Sequence, residues 1–370
     1  MFDKQHWKFP EFCIQKISKR IRNDLYIYII IFTYCIVCIG IAWEYSAFAL
    51  LSHSLYFEQW TKVFFFGMPA LVISLQTLMV LRRFHRRRAL ALKRLFSADR
   101  MATLVSGLIL LGALMLFQGS FTSIKNMLPL LRGGFGYDQF QAQTDAWLHL
   151  GVDPWLWIHS VLGFQWIRNL LEFNYNVLWF ILCYGALFFV ATSPRANAFR
   201  RQYIFLYIFV WVICGNLLAG LFLSAGPAFY GEIVGDHGRF AGLLAFLKDG
   251  ATMHSATSFQ AYLWGLHEAG RAGFGSGISA FPSVHVGLIT LNALFLNRYS
   301  RRWGCLAFFY VAVVQLSSVY LGWHYAIDGY ASIVVVTAAF MGVTTGSRFL
   351  TGRHFRQAGE TPTVKAMPVA

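Results

Sequence analysis

"LGWHYAIDGYASIVVVTAAFMGVTTG", residues 321–346, opens on a histidine and an aspartate and then runs apolar to its end, with Asp328 its one formal charge. About 20 apolar residues suffice to cross a bilayer as a helix. The stretch therefore reads as a membrane span with titratable groups at its mouth. His324 and Asp328 are four residues apart, so on a helix they share one face, a turn from each other. A second stretch, "ISAFPSVHVGLITL" (278–291), repeats the arrangement, with Pro282, Ser283 and His285 at the head of another apolar run. Ionisable residues within spans are costly and mark functional sites.

Composition agrees. Of 370 residues, 57% are hydrophobic and 13% charged, with mean hydropathy +0.52. Soluble domains sit near 45–50% and about 25%. The chain reads as an all-α integral membrane protein. Its net charge of +15 could suggest nucleic acid, but the cations follow apolar runs: Arg82, Arg83, Arg86, Arg87, Arg88, Lys93 and Arg94 after one, Arg195, Arg200 and Arg201 after another, Arg298, Arg301 and Arg302 after a third. That is the positive-inside pattern, so no nucleic-acid partner is expected. Six cysteines fall in spans or on the cytoplasmic side and imply no disulfide framework.

Eight spans are expected, near 25–45, 62–81, 101–122, 174–193, 203–225, 281–297, 304–322 and 325–346. Alternate connections carry the arginines, which places both termini in the cytoplasm and 46–61, 123–173 and 227–280 outside. The segment 1–24 is a cytoplasmic arm, 25–100 holds two spans and a basic loop, and 347–370 is a cytoplasmic tail ending in a disordered "GETPTVKAMPVA". Within 123–173, Trp and Leu recur at helical spacing among Asp138, Asp145, His149 and Asp153, as in helices lying in the interface plane. The glycine-rich 227–280 carries Arg239, Lys248 and Arg271 and leads into the His285 stretch.

The pattern suits nucleophilic and acid–base chemistry. Asp328 can hold one imidazole nitrogen of His324 and leave the other nucleophilic. The topology puts His285 on the same face, where it can act as general acid. Ser283 can cap the helix start and Pro282 suits its first turn; free N–H groups at such a start bind phosphate. Either histidine alone would read as an interfacial residue; the set of three does not. No metal or other cofactor is expected, since the spacings match no zinc signature such as H-E-x-x-H.

These segments resemble the type 2 phosphatidic acid phosphatase superfamily, whose motifs run K-x6-R-P, P-S-G-H and S-R-x5-H-x3-D. "PSVH" (282–285) matches the second with Val284 for glycine. "SSVYLGWHYAID" (317–328) matches the third with Ser318 for arginine. Of the first only Pro227 remains, with Ala219 at the lysine position and Gly226 at the arginine position. The resemblance spans roughly 101–346 and implies a six-helix catalytic core preceded by two extra helices, with interfacial helices on the outer face. It also implies a phosphohistidine on His324, with His285 as acid and Asp328 as orienter. "AGPAFY", "GISAFPSVHVG" and "YLGWHYAIDGYA" are similar to the branch holding fungal inositol phosphorylceramide synthase. That likeness implies transfer of a phosphohead group from a phospholipid or sphingolipid to a small alcohol or lipid acceptor, at the extracytoplasmic leaflet. Hydrolysis of a lipid phosphate or polyprenyl pyrophosphate, and non-catalytic lipid transport, are the alternatives. With three motif cations absent, Ser283, Arg271 and Lys248 are the expected phosphate-binding residues, with Arg239 next.

Overall fold

The structure, a computed structural model, describes residues 8–84 and 86–358. The first seven residues of the expected arm and the 359–370 tail lie outside the described residues. Among those described there is no strand. The helices used below are α1 (Lys8–Asn23), α2 (Leu25–Glu44), α3 (Phe48–Arg83), α4 (Ala98–Arg132), α5 (Asp138–Leu148), α6 (Pro154–Leu162), α7 (Gln165–Thr192), α8 (Arg200–Leu221), α9 (Ala241–Lys248), α10 (Ala256–Glu268), α11 (Val284–Tyr299), α12 (Arg301–Tyr320) and α13 (Ala326–Ala358).

Seven helical stretches among the described residues are long and apolar enough to cross a membrane: Leu25–Glu44, Phe48–Arg83, Arg88–Arg132, Gln165–Thr192, Arg200–Leu221, Arg301–Tyr320 and Ala326–Gly346. The remaining expected span, 281–297, is α11, a helix of 16 residues. Helices suit such sequences because every backbone polar group finds its partner within the segment. The outward faces are greasy: Phe32, Ile36, Val37 and Ile39 on α2, with Phe66, Leu71, Leu75 and Met79 on α3, are all exposed. A soluble protein does not leave so broad an apolar surface bare. Lipid is its solvent.

The long α4 is the spine. It packs against α2, the start of α3, α7 and the middle of α8. Its span was expected to stop at 122, yet the helix continues to Arg132. The reason is tertiary: Ile124, Met127 and Leu128 are buried with Cys38, Ala42, Ala219 and Leu223 in a second apolar cluster. The extension carries Lys125 and Asn126 inward. A second difference concerns 46–61, read as a connection. His53–Trp60 is helical and stapled to α4. Tyr56 and Thr122 share a hydroxyl bond of 2.7 Å, His53 Nε2 meets Ser120 Oγ at 2.9 Å, and the Ser52 N–H donates to Ser123 Oγ at 2.8 Å.

At the other end, α11 packs along α12 and α13 and against α8 and α7. Four elements thus converge where α11 and α13 begin. The glycine-rich 227–280 segment, with α9 and α10, folds over that convergence. Arg239 anchors it by donating twice to Asp153, at 2.9 and 2.6 Å, and once to the Ala142 carbonyl at 2.8 Å.

Candidate active site

Ser283 caps α11, its hydroxyl accepting from the Val286 N–H at 3.4 Å, while its own N–H donates to the Asp328 carbonyl at 3.1 Å. The cap expected from sequence is present. Pro282 differs: it precedes the cap instead of sitting in the first turn, because the helix begins only at Val284. The Ser283–Asp328 bond ties the start of α11 to the first turn of α13. His285 and the His324 loop are thereby brought together.

His324 lies in the short 321–325 connection, 7% exposed. Its Nδ1 donates to Asp328 Oδ2 at 3.2 Å, and the same oxygen accepts the Tyr325 N–H at 3.0 Å. Asp328 is fully buried. The contact fixes the ring through Nδ1, the orientation an imidazole attacking through Nε2 needs. Burial, then the positive charge of Lys125, lowers the His324 pKa to about 3, against a smaller opposing contribution from the Ala280 carbonyl. The ring is neutral at physiological pH.

His285 is held differently. Its ring stacks on Tyr175 (4.4 Å between centroids, 17° between planes) and lies against Trp179 at 4.1 Å. Trp179 Nε1 donates to the His285 carbonyl at 3.0 Å, so one aromatic residue fixes both its backbone and its ring. His285 and His324 line one cavity of about 480 Å³. Its walls are mostly aromatic, including Phe121, Tyr184, Trp211, Phe259 and Trp323. Pockets of a few hundred Å³ with apolar walls and few polar groups are the usual form of ligand sites.

The other sequence-expected residues are placed elsewhere. Lys248 ends α9 and is exposed. Arg271 is also exposed and lines a neighbouring cavity with Asn126, Leu266 and His267. Arg239 is engaged by Asp153. Lys125, which the sequence reading passed over, is the one Lys or Arg that lines the cavity of the two histidines among the described residues. The signal was there: a lone lysine within an apolar helix.

The geometry also explains the three missing motif cations. Gly226 has φ +98°, and a Cβ there would stand 2.7 Å from the Trp323 carbonyl oxygen. No side chain fits, because the 225–228 turn is pressed onto the His324 loop, Ala228 N–H donating to the Gly322 carbonyl at 2.9 Å. Ala219 is fully buried in the cluster with Ile124, Met127 and Leu128. Ser318 is fully buried too, its carbonyl accepting the Trp323 and His324 N–H groups.

Two carboxylates on α5, read from sequence as part of an interfacial stripe, turn inward. Asp138 accepts the Ala225 and Gly226 N–H groups at 2.7 and 2.8 Å and the Tyr325 hydroxyl at 2.9 Å. Asp145 accepts the Ala326 and Ile327 N–H groups at 2.9 and 3.1 Å. Burial holds both carboxyls above their usual pKa range, opposed by these same bonds. One short helix thus clips the 225–227 turn, the His324 loop and the start of α13 together.

Compared with known proteins, residues 141–342 match a family model described as the PAP2 superfamily. No curated protein and no solved structure matches.

Proposed function

The chain belongs to the PAP2 superfamily, and from that membership we propose that it cleaves a lipid phosphoester through a phosphohistidine on His324 and passes the phosphoryl-bearing group to an acceptor alcohol. The His324 Nε2 lone pair attacks phosphorus as the bond to the leaving oxygen breaks. His285 donates a proton to that oxygen, and Asp328 holds Nδ1–H and steadies the imidazolium. The acceptor hydroxyl, deprotonated by His285, then attacks phosphorus and releases His324. Water in place of the alcohol gives hydrolysis by the same steps.

One observation carries the reading: His285 and His324 open on a single cavity, with Asp328 bonded behind His324. The aromatic walls support a substrate with an apolar part beside its phosphate. The likeness of "GISAFPSVHVG" and "YLGWHYAIDGYA" to the inositol phosphorylceramide synthase branch supports transfer over hydrolysis. In this reading the eight helices divide into two extra spans within 25–100 and a six-helix core within 101–346. Both termini face the cytoplasm and the site faces the extracytoplasmic leaflet.

The test is direct. Purified protein is incubated with labelled phospholipid and sphingolipid phosphoesters, with and without inositol, glycerol or ceramide. A new phospholipid that needs the added acceptor supports transfer. Free phosphate alone makes the protein a hydrolase, and no turnover of any substrate would favour a lipid transporter that kept the bundle.

A further inference from the structure

Phosphoryl transfer depends on charge stabilisation and positioning more than on covalent help from the protein. A site with two histidines and no cation would lack its main tool, and the three motif positions that would supply cations hold Ala219, Gly226 and Ser318. Each is closed to a long side chain by its surroundings: buried apolar packing, a carbonyl against a positive φ, and a buried backbone turn.

We propose that Lys125 of α4 supplies the phosphate-binding charge of this site, moved to a helix outside the family-matched segment. The assignment rests on the phosphoester reading above.

Four observations converge on it. Among the described residues no other Lys or Arg lines the cavity of His285 and His324. Both histidines feel the Lys125 charge. No carboxylate pairs with the ammonium among the described residues, unlike Arg239 with Asp153 or Arg200 with Asp24. An unpaired ammonium in an aromatic-walled cavity is costly unless a ligand anion completes it.

The fourth concerns the stem. Gly277, at φ +94°, passes so close to α4 that a Cβ on it would stand 2.9 Å from Lys125 Cγ and 3.1 Å from its carbonyl carbon. Beside it Ser276 Oγ donates to Asn126 Oδ1 at 2.9 Å, pinning the loop there. The glycine-rich loop therefore lies directly on the lysine stem. Ala219 is buried in one cluster with Ile124, Met127 and Leu128 of α4. The small residue at the motif's lysine position thus shares an apolar cluster with Ile124, the neighbour of Lys125. Tyr175, stacked on His285, adds a buried hydroxyl group to the same cavity wall.

Orthovanadate, which mimics phosphorus in transfer to histidine, is the probe, its binding measured on the purified full-length protein without any turnover. Lys125→Gln should weaken vanadate binding roughly 10- to 100-fold, the range for losing a hydrogen bond to a charged group. Lys125→Arg should restore most of it, while Arg271→Gln and Lys248→Gln should leave it within two-fold. Should Lys125→Gln fail to fold, Lys125→Met keeps the stem and removes only the charge. Vanadate bound by the wild type, weakened by His324→Ala and unchanged by Lys125→Gln or Lys125→Met, would overturn the assignment while sparing the phosphohistidine reading. No vanadate binding by the wild type would remove both.

Discussion

Removing the Asp145 carboxylate should loosen the catalytic loop without touching substrate. Its two oxygens accept the N–H groups of Ala326 and Ile327, two of the three residues between His324 and Asp328, from a position only 3% exposed. Hydrogen bonds to a charged group contribute about 1.5–3 kcal/mol each. The cost of burying this carboxyl, visible in its raised pKa, offsets part of that. We therefore expect Asp145→Ala to destabilise by about 3 kcal/mol instead of the full sum for two charged bonds. At about 2–3 °C per kcal/mol the melting temperature in detergent falls roughly 5–10 °C. Asp145→Asn keeps one acceptor and turns an NH₂ toward an amide donor, so about half the effect is expected. Activity should suffer more than stability. The freed turn lets the His324–Asp328 contact drift, and a misplacement of about 1 Å costs on the order of 10²-fold. The loss should fall on kcat, with KM little changed, because Asp145 does not line the cavity. A folded Asp145→Ala protein with kcat within two-fold of wild type would refute the idea that α5 positions the site.

His324→Ala should abolish turnover and the acid-labile phosphoenzyme, whereas His285→Ala should lose roughly 10²–10⁴-fold and less on a nitrophenyl phosphoester, whose leaving group needs little protonation; trapping in each variant decides between the roles. His324, neutral above about pH 3, should keep its nucleophilic form through mild acid, so the acid limb of kcat/KM that reports it should lie well below the ordinary imidazole value near 6.5; a His324 limb centred at 6.5 would contradict a buried, neutral ring. Gly226→Arg, which restores the motif residue, should lower both melting temperature and kcat because its Cβ meets the Trp323 carbonyl; a gain in activity would show the turn can open. A cysteine engineered beside Lys248 should react with an impermeant reagent from outside the cell, and one beside Arg87 only after permeabilisation; the reverse would place the chemistry on the cytoplasmic leaflet.

The apolar spans and the His324–Asp328 contact were legible because both are written locally. Apolar runs declare themselves by length, and His324 and Asp328 by a four-residue spacing, although His324 sits in the connection ahead of α13 and not on the helix itself. What stayed hidden depends on distant partners. Asp138 and Asp145 carry no mark distinguishing them from solvated charges on a Trp-rich stripe; their partners are backbone amides of residues 225–226 and 326–327. Lys125 was missed because the apolar run of α4 seemed to finish at 122, while packing against Ala219 and Leu223 carries the helix on. The cations chosen instead, Arg271 and Lys248, are close to the histidine stretch in the chain or share its loop. Proximity in sequence proved a poor guide to the cavity wall.

The shortness of α11 sets the depth of the chemistry. Its 16 residues rise about 24 Å, several ångströms less than the roughly 30 Å of a typical hydrocarbon core. With Arg298 in its last turn held at one headgroup layer, as the proposed topology has it, His285 in its first turn would sit below the opposite one. On the proposed function, a lipid phosphate would sink only slightly, without leaving its leaflet, to reach the imidazoles. A thicker, sterol-rich bilayer would draw that plane further from the headgroups, so turnover in vesicles should fall as acyl chains lengthen. Bilayer thickness would then act as a control on the proposed reaction that no residue in the cavity encodes.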